Sequence, residues 1–206
     1  MIPQFDILPT EKKTNLHEFK HVFVPSTKEW LEEARHGLMT NQNFAPIFLV
    51  DEDKVRELIT LEKRVIKNAD YESHDDDEFE ASLEEFEETD EFENSDFSYL
   101  EIGVGSLIIA LSHIGGMPLT GCRCHNSKNS YSQIPMVCVK TDFERVIAID
   151  QLIKNNNLAD KFELDGEPYE QALIIMAASV LDLVELAELI MNNKDIFKDI
   201  PIPVLY

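Results

Sequence analysis

The chain has 206 residues, of which 44% are hydrophobic, so it can form a well-packed core and is not disordered throughout. Its net charge is −22, from 18 basic and 40 acidic residues. Nucleic-acid phosphates and anionic membrane surfaces bind proteins mainly through Lys and Arg, so this charge argues against both as direct partners. A basic protein partner or a bound cation fits the charge better.

The sequence also bears on the cellular compartment. Residues 1–6 have neither the basic region nor the apolar stretch of a secretory signal, and the longest apolar run, residues 172–178, is too short to cross a bilayer. Three cysteines, two of them separated by one residue, argue against a disulfide framework. We therefore expect a cytoplasmic protein without a membrane span.

Residues 1–68 are predicted to form a helix, a strand and a second helix. The sequence Ser-Thr-Lys-Glu at residues 26–29 is a capping box that predicts a helix ending near Gly37, and residues 44–50 are an apolar run typical of a buried strand. The acidic residues 51–53 suit a helix N-terminus, and apolar residues then recur at helical spacing up to residue 66. Glu62 is the only interruption of that apolar face.

The negative charge is concentrated in residues 68–101, which contain 16 acidic and no basic residues. Like charges destabilise a helix, so we expect this acidic insertion to be mobile when unbound. Its apolar residues at helical spacing have two interpretations: they pack on the core of this protein, or they anchor a basic partner. In the second interpretation the partner-binding residues are Asp75, Asp76, Asp77, Phe79, Leu83, Phe86 and Phe92.

The remainder of the chain alternates between apolar helices and strands. Periodicity and turn residues predict, in chain order, a helix at 106–114, strands at 117–122 and 134–140, a helix at 142–155, a strand at 161–164 and a helix from about 167 to 192. This order predicts an α+β fold: a small mixed or antiparallel sheet covered by helices, with a long buried C-terminal helix. We expect residues 1–68 and 98–206 to share one core, interrupted by the acidic insertion at 69–97.

The sequence Gly-Cys-Arg-Cys-His at residues 121–125 is the part of the chain richest in reactive side chains. Cys122, Cys124 and His125 carry good zinc ligands, so they are a candidate metal or thiol site with zinc as the candidate ion. Arg123 is predicted to contact an anion or to lower the pKa of a neighbouring cysteine. Structural zinc sites usually place two to four residues between paired cysteines, so a structural loop is the alternative interpretation.

A glycine-containing motif gives one further hypothesis. Residues 99–106, Tyr-Leu-Glu-Ile-Gly-Val-Gly-Ser, resemble the first motif of Rossmann-type methyltransferases, and Leu107 stands where that family usually has a third glycine. The resemblance implies a strand that ends at Glu101, followed by a turn that binds S-adenosylmethionine.

Three function hypotheses follow. The favoured one is a non-catalytic interaction module of the inhibitor, immunity or adaptor type, which engages a basic protein through the acidic insertion. The alternative is a small enzyme or zinc-binding domain centred on Cys122, Cys124 and His125. An S-adenosylmethionine-dependent methyltransferase is the third.

Overall fold

The computed structural model describes residues 2–7, 51–95, 97–98, 100–124, 132–167 and 172–200. The predicted helix at 26–37, the predicted strand at 44–50 and His125 lie outside these residues. The described elements, in chain order, are α1 (Glu52–Glu72), α2 (Asp76–Glu87), α3 (Asp90–Glu93), α4 (Gly105–His113), β1 (Met117–Cys122), β2 (Met136–Lys140), α5 (Phe143–Asn155), β3 (Phe162–Glu167), β4 (Ala172–Ala177), α6 (Val180–Asn192) and a 3₁₀ helix (Lys194–Phe197).

The four strands form one antiparallel sheet in the order β1-β2-β4-β3. Two neighbouring pairs, β1 with β2 and β3 with β4, are consecutive in the chain, and α5 connects them. The inner strands β2 and β4 pair over their full length, from Met136 opposite Met176 to Lys140 opposite Ala172. The predicted α+β class with a small antiparallel sheet is therefore confirmed.

The helices build the core outward from the sheet. Helix α4 packs on β1 and β2, α6 packs on β4, and the two helices also contact each other. Helix α1 lies against both α4 and α6, and α2 in turn packs on α1. Apolar residues of the sheet and of these helices form the main buried cluster. This packing places the acidic helices at the edge of the core.

The prediction of a long C-terminal helix from about residue 167 is wrong over its first half. Residues 162–167 and 172–177 form the hairpin of β3 and β4, and the helix begins only at Val180. The Ser179 side chain marks that start, because it accepts a hydrogen bond from the N–H of Asp182. The physical reason for the error is that β4 is an inner strand with apolar residues on both faces, so its sequence lacks the alternation of a half-buried strand.

Helix α1 extends well beyond the predicted periodic stretch. It begins after Asp51, whose side chain caps it by accepting from the N–H of Asp53, and it runs through the predicted boundary at residue 68 to Glu72. Its apolar face is buried as predicted, and Glu62 is buried with it. The acidic insertion is helical, forming α2 and α3. The division into parts at residues 68 and 97 stays a prediction.

Candidate functional site

Helices α2 and α3 are attached to the core by the apolar side chains of the acidic segment. Phe79, Leu83 and Phe92 are each at most 3% exposed and belong to the main core cluster. Their burial favours the first interpretation of the apolar stripe, in which it packs on this protein itself. A partner cannot reach these three side chains in this structure, so they hold the acidic helices in place.

The start of each acidic helix is stabilised locally. The Asp75 side chain accepts from the N–H of Glu78, and the Glu78 carboxylate accepts from the N–H of His74. Thr89 caps α3 in the same way by accepting from the N–H of Phe92. Acidic residues in the first turn of a helix also interact favourably with its dipole, which offsets part of their mutual repulsion.

The outward side of these helices carries many exposed carboxylates. Asp75, Asp76 and Asp77, predicted to contact a partner, are exposed there. We call this surface the acidic face, and its exposed carboxylates are those of Asp75, Asp76, Asp77, Glu78, Glu84, Glu85, Glu88, Asp90, Glu91 and Glu93.

Phe86 lies at the rim of the acidic face and is partly buried. Its ring centroid is 5.8 Å from that of Phe92, and the guanidinium carbon of Arg64 lies 6.0 Å from the Phe86 ring. Arg64 also forms an ion pair with Glu91 at 2.5 Å. Phe86 is therefore largely engaged by neighbours within the chain.

Arg123 lies beneath the acidic face, where it neutralises carboxylates from two elements. Its Nε is 2.9 Å from Glu80, its Nη1 is 2.5 Å from Glu87, and its Nε is 3.6 Å from Glu101. The arginine side chain is 1% exposed. Carboxylates of the protein itself therefore surround the guanidinium, and contact of Arg123 with an external anion stays a prediction. We call these four residues the Arg123 cluster.

The pKa values in the Arg123 cluster reflect burial and charge together. Burial alone lowers the pKa of Arg123, but the charges of Glu87, Glu80 and Glu101 outweigh it and raise that pKa above its ordinary value. Burial raises the pKa of Glu87, while the positive charge of Arg123 opposes the rise. Arg123 thus offsets part of the cost of burying the Glu87 carboxylate.

A second buried carboxylate, that of Glu62, holds the glycine turn. The N–H groups of Gly103 and Gly105 donate to Glu62 Oε1 at 2.8 and 3.0 Å, and the N–H of Ser106 donates to Oε2 at 3.1 Å. Glu62 is 0% exposed, and burial raises its pKa to about 7 although these hydrogen bonds oppose the rise. The carboxylate occupies the N-terminus of α4, where backbone N–H groups favour an anion.

This geometry differs from the strand and ligand-binding turn that the resemblance to methyltransferases implies, and the activity itself stays a prediction. Residues 102–104 form a turn, with no strand ending at Glu101, and the sheet is antiparallel where a Rossmann fold needs parallel strands. Glu101 contacts Arg123, and the N–H groups of the glycine turn are taken up by Glu62. The glycines serve packing: a Cβ on Gly105 would lie 3.0 Å from the Leu100 Cβ, and Gly103 has a φ of +99°.

The cysteines lie at the end of β1 and in β2. Cys122 and Cys138 are buried in a small apolar cluster on the sheet, and Cys124 is half-buried with its N–H donating to Cys122 Sγ at 3.4 Å. In the part of the chain that the structure describes, no group of three His, Cys, Asp or Glu residues is arranged to hold a metal ion. His125, the predicted third ligand, lies outside the described residues.

Cys124 is a poor nucleophile in this environment. Burial raises the pKa of its thiol to about 11, and Cys122, Glu80 and Glu101 add to the rise. Arg123 does not offset this effect, because its charge is taken up by the carboxylates of its cluster.

The chain was compared with protein-family models, curated proteins and solved structures. None of them matches. The interpretation of the site therefore rests on its geometry and charge alone.

We expect Cys124 to react with iodoacetamide about 100-fold more slowly at pH 7.5 than an unperturbed cysteine, since its thiolate fraction is lower by that factor. The measurement is site-resolved mass spectrometry of the alkylated protein, with a short unstructured peptide carrying one cysteine as reference. Reaction as fast as the peptide's would contradict the raised pKa and would support a thiol function.

Proposed function

We propose that this protein is a non-catalytic interaction module of the inhibitor, immunity or adaptor type, whose acidic face engages a basic protein. The observation that supports the proposal is that α2 and α3 have one apolar side, packed on the core, and one acidic side. Their apolar side chains are buried in the core, Arg123 neutralises Glu80 and Glu87 from beneath, and the remaining carboxylates point outward as a fixed array. A fixed array loses little conformational entropy when a partner binds.

Charge supplies the speed and selectivity of such an interaction. A surface of one sign accelerates encounter with an oppositely charged partner and weakens as salt screens it. Affinity usually comes from a few aromatic or arginine contacts within the interface. Tyr71 suits this role, because it is 89% exposed at the end of α1, next to the turn that leads to Asp75.

The same charge disfavours nucleic acid and anionic lipid as partners. None of the described helices has the length and apolar character to cross a membrane. Cys122, Cys124 and Cys138 are free thiols, which supports our proposal of a reducing compartment such as the cytoplasm.

Reversal of three charges on the acidic face tests the proposal. We expect a variant with Glu85→Lys, Glu88→Lys and Glu93→Lys to capture at least about tenfold less of its basic partner, since electrostatic attraction becomes repulsion. The measurement is capture from cell lysate on immobilised protein at low and high salt, with quantitative mass spectrometry of the bound proteins.

A matched control carries Glu144→Lys, Asp160→Lys and Asp199→Lys, which change the net charge equally at exposed positions outside the acidic face. The control should retain the partner. Equal losses of captured partner in both variants would show that net charge, and not this face, drives binding. Unchanged capture by the first variant would exclude the acidic face as the binding surface. Tyr71→Ala separates aromatic anchoring from charge, because it should accelerate dissociation without changing the salt dependence.

A further inference from the structure

The contact between α1 and the glycine turn at residues 102–106, which we call the joint, depends on one carboxyl group. Glu62 reaches out of the apolar face of α1 and accepts all three hydrogen bonds described above from Gly103, Gly105 and Ser106. Both ends of this contact are buried, so neither the carboxyl group nor the three donors can exchange partners with water unless the joint opens.

Among the residues that the structure describes, no cation lies beside Glu62 to hold it in the ionised form. Helix α4 presents the Ser106 hydroxyl to it, and the charges of α6 are engaged elsewhere: Asp182 and Glu185 with Lys161, and Glu188 with Lys63. Beyond the turn lies the Arg123 cluster, in which Arg123 is bound to Glu87 from α2, to Glu80 and to Glu101. The ionised form of Glu62 is therefore stabilised by hydrogen bonds alone.

The structure also offers a place for a proton. The Ser106 hydroxyl is fully buried beside the Glu62 carboxyl group and donates a hydrogen bond to it in the ionised form. A protonated Glu62 can donate to this hydroxyl oxygen while Oε1 continues to accept from Gly103 and Gly105. The protonated form is thus compatible with the closed joint.

We propose that Glu62 is a proton-operated latch, which keeps α1 closed on the glycine turn when it is protonated and favours opening of this joint when it is ionised. An ionised carboxylate gains hydration when the joint opens, whereas a protonated one gains little. The N–H of Ile102, next in the turn, donates to Glu87 at 2.7 Å, so opening also disturbs the Arg123 cluster and the attachment of α2. This inference does not depend on the proposed partner.

The pH range and the sign follow from linkage. The pKa of Glu62 is about 7 in the folded protein against an ordinary value of 4.5, so the folded state binds a proton more tightly than the unfolded state. The stabilisation is fully present below pH 4.5 and is lost as the pH rises through about 7. Between pH 5.5 and pH 8.5 these two values correspond to a decrease of about 30-fold in the folding equilibrium constant.

The test compares the protein with Glu62→Gln, which has no titrating carboxyl group at this position at any pH. We expect the ratio of their folding equilibrium constants, from urea unfolding, to fall by about 30-fold from pH 5.5 to pH 8.5, because all other titrating groups cancel in the ratio. Hydrogen exchange of the wild type should show the matching loss of protection at Gly103 and Gly105, relative to the amides of β2, over the same range.

If Glu62→Gln does not fold, a second measurement tests the proposal through the pKa of Glu62. Carbon-13 NMR of the wild-type protein, with glutamate labelled at the carboxyl carbon, gives the pKa of Glu62 directly. A carboxyl group titrating near 7 supports the latch. The proposal is overturned if no buried carboxyl group titrates above 5, or if the two proteins show parallel pH profiles.

Discussion

Replacement of Arg123 by methionine is expected to destabilise the fold by about 3–5 kcal/mol at pH 7. Methionine keeps much of the side-chain volume but leaves the carboxylates of Glu80, Glu87 and Glu101 without the guanidinium that neutralises them. Those carboxylates are between 16% and 23% exposed, so water compensates only in part. Urea unfolding followed by circular dichroism measures the loss of unfolding free energy.

The control is Arg64→Met, which removes an arginine that is also paired with a glutamate of the acidic segment. Arg64 and Glu91 are both more than half exposed, so this loss should stay below about 1 kcal/mol. The Arg123→Met loss should also shrink as the pH falls, because protonation removes the uncompensated charges. Similar losses in the two variants, independent of pH, would mean that the Arg123 cluster contributes no more than a surface ion pair.

The parts of the fold that could be predicted are those with polar residues at their ends. Helix α5 and strands β1 and β2 lie within a few residues of their predicted positions, because boundary residues such as Asp142 mark where they begin or end. The prediction fails at β4, since a strand with apolar residues on both faces has the same continuous apolar sequence as a buried helix. Ser179 was the available signal, because a serine followed three residues later by an acidic residue is typical of a helix start.

In the acidic segment, the charges of neighbouring residues do not predict the observed helices. No Lys or Arg lies between residues 68 and 122, and mobility was the natural expectation from that absence. The neutralising charge comes instead from Arg123, which β1 brings beneath α2, 43 residues after Glu80. Such long-range pairing depends on where the fold places α2 relative to Arg123, which the sequence does not reveal.

The role of Glu62 was partly visible in the sequence. A single carboxylate on an otherwise apolar helix face needs buried partners, and a turn with two glycines has exposed N–H groups to offer. Each feature was apparent on its own, but nothing in the sequence joined them across 41 residues. The resemblance to a cofactor-binding turn is explained by this pairing, because Glu62 occupies the place that an anionic ligand takes in such turns.

Replacement of Glu62 by alanine is expected to cost on the order of 3 kcal/mol or more of unfolding free energy at pH 7. The substitution leaves the N–H groups of Gly103, Gly105 and Ser106 buried without an acceptor and creates a cavity between α1 and α4. Removal of a carboxyl group that is costly to bury offsets part of this loss, so the effect is smaller than three unsatisfied donors alone would produce.

Glu57→Ala on the exposed side of the same helix is the control, and it should change the stability by no more than about 0.5 kcal/mol. The stability of Glu62→Gln should lie between those of Glu62→Ala and Glu57→Ala. Its amide oxygen still accepts from Gly103 and Gly105, but its NH₂ group meets the N–H of Ser106. This order of stabilities distinguishes hydrogen bonding from helix propensity, because alanine is the better helix former at both positions. If Glu62→Ala were as stable as Glu57→Ala, the glycine turn would not need its acceptor, and its conformation would have to be held by packing of Leu100 and Val180 alone.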